Sequence, residues 1–185
     1  MKVIRNIIKC ISITKMLLIL IFLYYSNGYP DILNTYKTHK NTIVNNNENT
    51  VEYMKKKAEQ GNAKAQNDLA IIYYKGKRVK QNYNKAIRWF KKAAVLGNAK
   101  AQNNLGVIYY NGKGVEKNYN EAIRWFKKAA EQGNARAQYA LGVMYYNGKG
   151  VEKNYNEAIK WLRKAVNQGH SNARTLLTEV VKCVI

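Results

Sequence analysis

The sequence predicts an all-α solenoid of stacked helix pairs, and three observations predict it. Trp89, Trp125 and Trp161 recur every 36 residues, as do Gly97, Gly133 and Gly169, and Gly76, Gly112 and Gly148. Within each period the apolar residues follow a helical spacing twice, with a glycine-containing break between. Proline, which interrupts helices, occurs once among 185 residues, at Pro30.

The full units run 62–97, 98–133 and 134–169. In the middle unit, helix A is expected from about Ala99 to Tyr110. Ala101, Leu105, Ile108 and Tyr109 lie at i, i+4, i+7 and i+8, one face of a helix. Asn111 and Gly112 stop it, because both tolerate the left-handed backbone of a helix end. Helix B is expected to begin near Asn118. Asn118 and Glu121 have capping-box spacing, as do Asn154 and Glu157, whereas the first unit has Asn82 with Lys85. Ala122, Trp125, Phe126, Ala129 and Ala130 form the apolar stripe of helix B, and Gly133 ends it. Small residues such as Gly106 and Ala122 let helices approach closely, and Trp125 and Tyr109 fill the space between hairpins.

Half-units close both ends. Residues 48–61 align with helix B, placing Val51, Tyr53 and Met54 where Ile87, Trp89 and Phe90 stand. Residues 170–185 align with helix A through Ala173 and Leu177, giving about eight helices in the solenoid at 48–185.

The N-terminus reads as a targeting segment. Lys2, Arg5, Lys9 and Lys15 precede an uncharged run from Met16 to Tyr25, and Ser26 and Gly28 have the spacing a signal peptidase prefers, with the cut before Tyr29. The uncharged run is roughly 10 residues, short for a hydrocarbon core of ~30 Å. Residues 1–28 are therefore expected to be a cleaved signal peptide, directing the chain to the secretory route (extracellular, periplasmic or lumenal). The alternative is an uncut anchor through residues 11–25. Residues 29–47 are polar and Asn-rich and read as a linker. Cys10 would leave with the signal, so Cys183 would be the single thiol of the mature chain.

The pattern Ala-x-Ala-x-x-x-Leu-Gly-x-x-Tyr, then Gly-x-Gly-Val, then Ala-x-x-Trp-x-x-x-Ala-Ala-x-x-Gly resembles the Sel-one-like repeat, a relative of the tetratricopeptide repeat. The middle unit carries it at Ala99, Ala101, Leu105, Gly106, Tyr109, Gly112, Gly114, Val115, Ala122, Trp125, Ala129, Ala130 and Gly133. The third unit departs at Val166; the first departs at Ala70 and Arg78, where glycines are usual, which puts its A–B turn in question. The resemblance implies a right-handed superhelix of antiparallel helix pairs acting as an adaptor or scaffold.

No catalytic constellation is present. His39 lies in the linker and His170 at the last repeat boundary; with one mature thiol they make neither a metal site nor an organised nucleophile. No cofactor motif occurs either: the Gly-x-Gly stretches at 112–114 and 148–150 lack the residues of a phosphate loop and read as turns.

Two ladders are candidate binding surfaces. The resemblance places the A helices on the concave side, where Lys64, Lys100 and Arg136 form a basic rim. Asn67, Asn103 and Tyr139 lie one turn on, followed by Ile71, Val107 and Val143, then Tyr74, Tyr110 and Tyr146. Amides and tyrosines of this kind suit a protein or peptide partner. On helix B, Arg88, Lys91 and Lys92 recur as Arg124, Lys127 and Lys128, and as Lys160, Arg163 and Lys164. This basic stripe, in a chain of formal charge +21, is the alternative: a surface for polyanions or anionic membrane. Nothing resembles a base-reading module, and a secretory signal argues against nucleic acid. Three full units make a short groove, so self-association stays open.

Overall fold

The computed structural model describes residues 50–184 continuously, with Leu18, Asn34, Lys37 and Thr38 besides. The chain divides into two units, Met1–Asn49 and Thr50–Ile185, and the repeat helices belong to the second. The signal and linker readings rest on residues outside the described ones, apart from Leu18 in the first and Asn34, Lys37 and Thr38 in the second, which are helical. Among the described residues no helix is long and apolar enough to cross a membrane.

Residues 50–184 form eight helices and no strand. Helix α1 covers residues 50–59. The repeats contribute α2 (Ala63–Lys75) with α3 (Tyr83–Val95), α4 (Ala99–Asn111) with α5 (Tyr119–Glu131), and α6 (Ala135–Asn147) with α7 (Tyr155–Asn167); α8 is Ser171–Lys182. Each helix packs on the next in sequence, and successive A helices also touch, α4 on α6 and α6 on α8.

Every repeat helix begins at an asparagine. Asn82, Asn118 and Asn154 accept from the backbone N–H groups of Lys85, Glu121 and Glu157 at 2.8, 3.0 and 2.9 Å. The expected reciprocal half of the capping box is absent. The backbone N–H of Asn118 instead donates to the Tyr109 carbonyl at 2.9 Å, locking helix B to helix A. Glu121, freed of that role, pairs with Arg124 at 2.8 Å. Lys85 is therefore no defect in the first repeat: Asn82 still caps, and its N–H reaches Tyr73 at 2.9 Å.

The A helices are capped by Asn62, Asn98 and Asn134, a role the period alone did not reveal. Asn98 and Asn134 do double duty, since their amide groups also donate back across the boundary to the carbonyls of Ala63 and Ala99 at 3.4 and 3.5 Å. At the fourth such position stands His170, whose ring Nδ1 accepts from Ala173 at 3.3 Å.

Close approach explains the helical glycines. A Cβ on Gly106 would lie 2.5 Å from the Phe126 ring, and one on Gly142 would lie 2.6 Å from Leu162. Gly114 and Gly150 serve the A–B turns with φ of 75° and 71°. They also press on the preceding repeat: a Cβ there would meet the Cβ atoms of Tyr83 and Tyr119 at 2.4 and 2.6 Å. In the first repeat Arg78 holds the same left-handed conformation at φ 70°. Its A–B turn is thus the same as the others, with a strained residue at its apex.

The core is a chain of clusters centred on Ala, Leu and Phe, with Trp125 and Trp161 buried at the repeat junctions. The three periodic tryptophans are not equivalent. Trp89 is only half-buried, and its ring lies under Lys92 at 4.6 Å. Of the half-unit residues, Ala173 is buried and Val51 and Leu177 are partly so, but Tyr53 is exposed and Ala58 is the buried anchor of α1.

Candidate binding groove on the A helices

The A helices carry three adjoining cavities. The largest, about 500 Å³, has an apolar floor of Val107, Val143, Met144 and Phe126, flanked by Tyr110 and Tyr139. A second, about 240 Å³, lies over Ile71, Tyr74 and Val107. The third, about 350 Å³, lies among Asn67, Lys100, Asn103 and Asn134. Arg136 lines all three, which joins them into one track across the repeats.

Ten of the twelve ladder residues read from the sequence meet here; Lys64 and Tyr146 do not. Tyr146 turns to α8, where its hydroxyl donates to Glu179 at 2.9 Å. That hydrogen bond, followed by burial, raises the Tyr146 phenol to about 12. Two more ladder residues differ from expectation. Asn67 and Asn103 are not surface groups but buried, at 2% and 7% exposure, because the A helices approach closely there. Asn67 is engaged: it donates to Asp68 at 3.0 Å and accepts from Asn104 across the repeat boundary at 3.3 Å.

The tyrosines are held, not loose. Tyr74 and Tyr110 lean on Tyr83 and Tyr119, the first residues of their own B helices, with ring centroids 5.3 and 5.2 Å apart. The Tyr110 oxygen also accepts from Lys149 of the next repeat at 3.0 Å, which raises the lysine ammonium above its ordinary value. Tyr139 stacks on His170 at 4.6 Å. Rings fixed by such contacts lose little further freedom when a ligand covers them.

Asn104, Asn172 and His170 also line the track and were missed by sequence reasoning. Asn104 stands in register with Asp68 and Ala140, so no repeating type marked it. Asn172 occupies the register of Lys64, Lys100 and Arg136, so carrying the ladder into the final half-unit would have found it.

The basic stripe lies on the B helices and is largely exposed, with Lys127 half-buried. Much of it is tied to its own helix. Arg124 and Lys160 pair with Glu121 and Glu157 at 2.8 and 2.9 Å. Lys128 and Lys164 lie over Trp125 and Trp161 at 5.2 and 4.5 Å, as Lys92 does over Trp89. Lys91 and Lys127 sit 6.0 Å over Tyr109 and Tyr145 of the following A helices.

No group of metal-ligating side chains occurs among the described residues. His170 and Cys183 cap opposite ends of α8, some 20 Å apart at 1.5 Å per residue, so they form no nucleophile pair.

The Sel1 repeat family model matches residues 63–98, 99–134 and 135–170, each boundary one residue beyond that read from the glycines. The chain belongs to the Sel1 repeat family. Members of the family generally mediate protein–protein interaction as non-catalytic scaffolds.

Among solved structures, this Sel1 repeat chain resembles a protective antigen of uropathogenic Escherichia coli displaying an SLR fold. The two share 42% identity at a TM-score of 0.65, over 66% of this chain and 26% of the antigen. It also resembles a Sel1 repeat protein of Oxalobacter formigenes, with 43% identity and a TM-score of 0.62, over 64% of this chain and 47% of the other. Cysteine rich protein B of Helicobacter pylori matches with 27% identity and a TM-score of 0.58, over 73% of this chain and 97% of that one. The chain thus spans about a quarter and about half of the first two relatives. None of the curated proteins compared matches significantly.

Proposed function

We propose that this chain is a non-catalytic adaptor that holds a protein or peptide partner in the groove of its A helices. One observation carries the reading: three adjoining cavities from successive repeats share Arg136 and have an apolar floor with amides and fixed tyrosines around it. Apolar floors with a few convergent polar groups are what ligand sites require. The basic residues and uncharged run before Tyr29 support an adaptor that works on the secretory route. N-terminal sequencing of the native protein tests that placement, which predicts Tyr29 as the first residue.

A photocrosslinking amino acid at Val107, in the groove floor, compared with one at Arg88, on the B face, tests the site. The adaptor reading expects a discrete partner from position 107 and none from 88. The second reading, a polyanion or anionic membrane on the B helices, draws support from Arg88 and Arg163, which are exposed and unpaired by any acid among the described residues. It expects the opposite crosslinking pattern and binding that weakens steeply with salt.

A further inference from the structure

We infer that the groove selects an extended peptide bearing a carboxylate beside a large apolar side chain, Asn103 holding the peptide backbone and Arg136 the carboxylate. This rests on the adaptor reading and specifies its ligand. The argument begins at Asn103. The residue is 7% exposed and its amide, which is not among the fully buried unpartnered atoms, bonds to no described group, whereas Asn67, its counterpart one repeat earlier, is bonded at both ends. Asn103 lines both the 500 and the 350 Å³ cavities. Its donor and acceptor therefore face the cavities with no protein group competing for them, open to a ligand in place of water. It offers one donor group and one acceptor, the complement of a peptide unit.

Charge sets the rest. No carboxylate lines any of the three cavities, while Lys100, Arg136 and Lys75 do. Arg136 has no acidic partner among the described residues, and it stands in the first turn of α6, where the helix dipole adds to its positive potential. A planar guanidinium left free at such a place matches a carboxylate in two parallel hydrogen bonds. The neighbouring floor of Val107, Val143 and Met144 is apolar and takes an aliphatic or aromatic side chain. In an extended peptide, side chains two residues apart project to one side about 6–7 Å apart. An acid and an apolar residue so placed can reach rim and floor together.

A random peptide display selection on the immobilised full chain tests this, followed by affinity measurements on synthetic peptides from the selected pool. The expected pool is enriched in Asp or Glu next to, or two residues from, a large apolar residue. Exchanging that Glu for Gln in the peptide should weaken binding to the wild type about tenfold or more. Against Arg136→Gln the same exchange should change nothing, and Arg136→Lys should restore part of the difference. Asn103→Leu should weaken the Glu and Gln peptides equally, with the melting temperature recorded to set aside unfolding. A pool without acidic preference, or a Glu-to-Gln penalty that persists in Arg136→Gln, overturns the inference while leaving the groove in place. Polyglutamate binding as well as the selected peptides, indifferent to Asn103→Leu, overturns it in favour of a charge-only surface. Failure of the wild type to select any peptide, or selected peptides that bind Val107→Arg unchanged, removes the groove reading itself.

Discussion

The side-chain amide of Gln132 donates to that of Gln102 across a repeat boundary at 2.7 Å, and Gln102 in turn donates to the Ala94 carbonyl at 3.0 Å. Gln168, Gln138 and Ala130 repeat the chain at 2.7 and 3.1 Å. The first repeat breaks it. Gln66 donates to Ala58 at 2.9 Å, but its Oε1 is buried without a partner, because the residue in register is Leu96. Leu96 is 56% exposed, so the substitution also leaves an apolar side chain in water. Leu96→Gln should stabilise the fold by about 1 kcal/mol, the net worth of a satisfied buried acceptor. Thermal unfolding with calorimetry checks it, and a fall in melting temperature would refute the ladder.

The A–B turns predict opposite signs for two substitutions. Gly114→Ala places a Cβ in the left-handed region and 2.4 Å from Tyr83 Cβ, so it should destabilise by ~2–4 kcal/mol. Arg78→Gly removes strain at φ 70° and should stabilise by up to about 1 kcal/mol. Urea unfolding of both variants measures the pair.

The tryptophans should not be equivalent. Trp125 is 7% exposed and sits between repeats, so Trp125→Ala should cost ~3–5 kcal/mol. Trp89 is half-buried at the outer edge, and Trp89→Ala should cost less than half as much. Equal losses in denaturant midpoint at constant slope would show that partial exposure does not discount the Trp89 contribution.

Tyr146 predicts a stability change in alkali. Its phenol is raised from 10.0 to about 12 by the hydrogen bond to Glu179, so the bond supports the fold fully below pH 10 and is lost as pH rises through about 12. Tyr146→Phe should therefore unfold more readily than the wild type at neutral pH, and the gap should close between pH 10 and 12. Ultraviolet titration should show the Tyr146 phenol ionising near pH 12 in the wild type, a component that the variant lacks.

The architecture was legible because it repeats. A 36-residue period at Trp125 and Gly133, with small residues at Gly106 and Ala122, leaves few ways to stack. The edge of the A helices that lines the cavities was legible, but not how far its residues are buried. Asn103 lies on the same helical edge as Val107, which periodicity detects, but its burial depends on how closely α4 and α6 approach. The capping box failed for a related reason. Sequence spacing places Glu121 within reach of Asn118, yet the N–H it would accept from is taken by Tyr109, a partner from another helix.

The close pairs Tyr83–Gly114 and Tyr119–Gly150 have a consequence for how the array is ordered. Each is a lock in which one repeat's tyrosine enters a recess on the next, and the recess exists only where that turn lacks a Cβ. The repeat containing Arg78 has a tyrosine to offer but no recess to receive one. A preceding repeat that placed its tyrosine as Tyr83 stands against Gly114 would meet the Arg78 Cβ there. A genetic duplication of residues 98–133 would therefore extend the array in register, whereas a second copy of residues 62–97 would jam at its own turn.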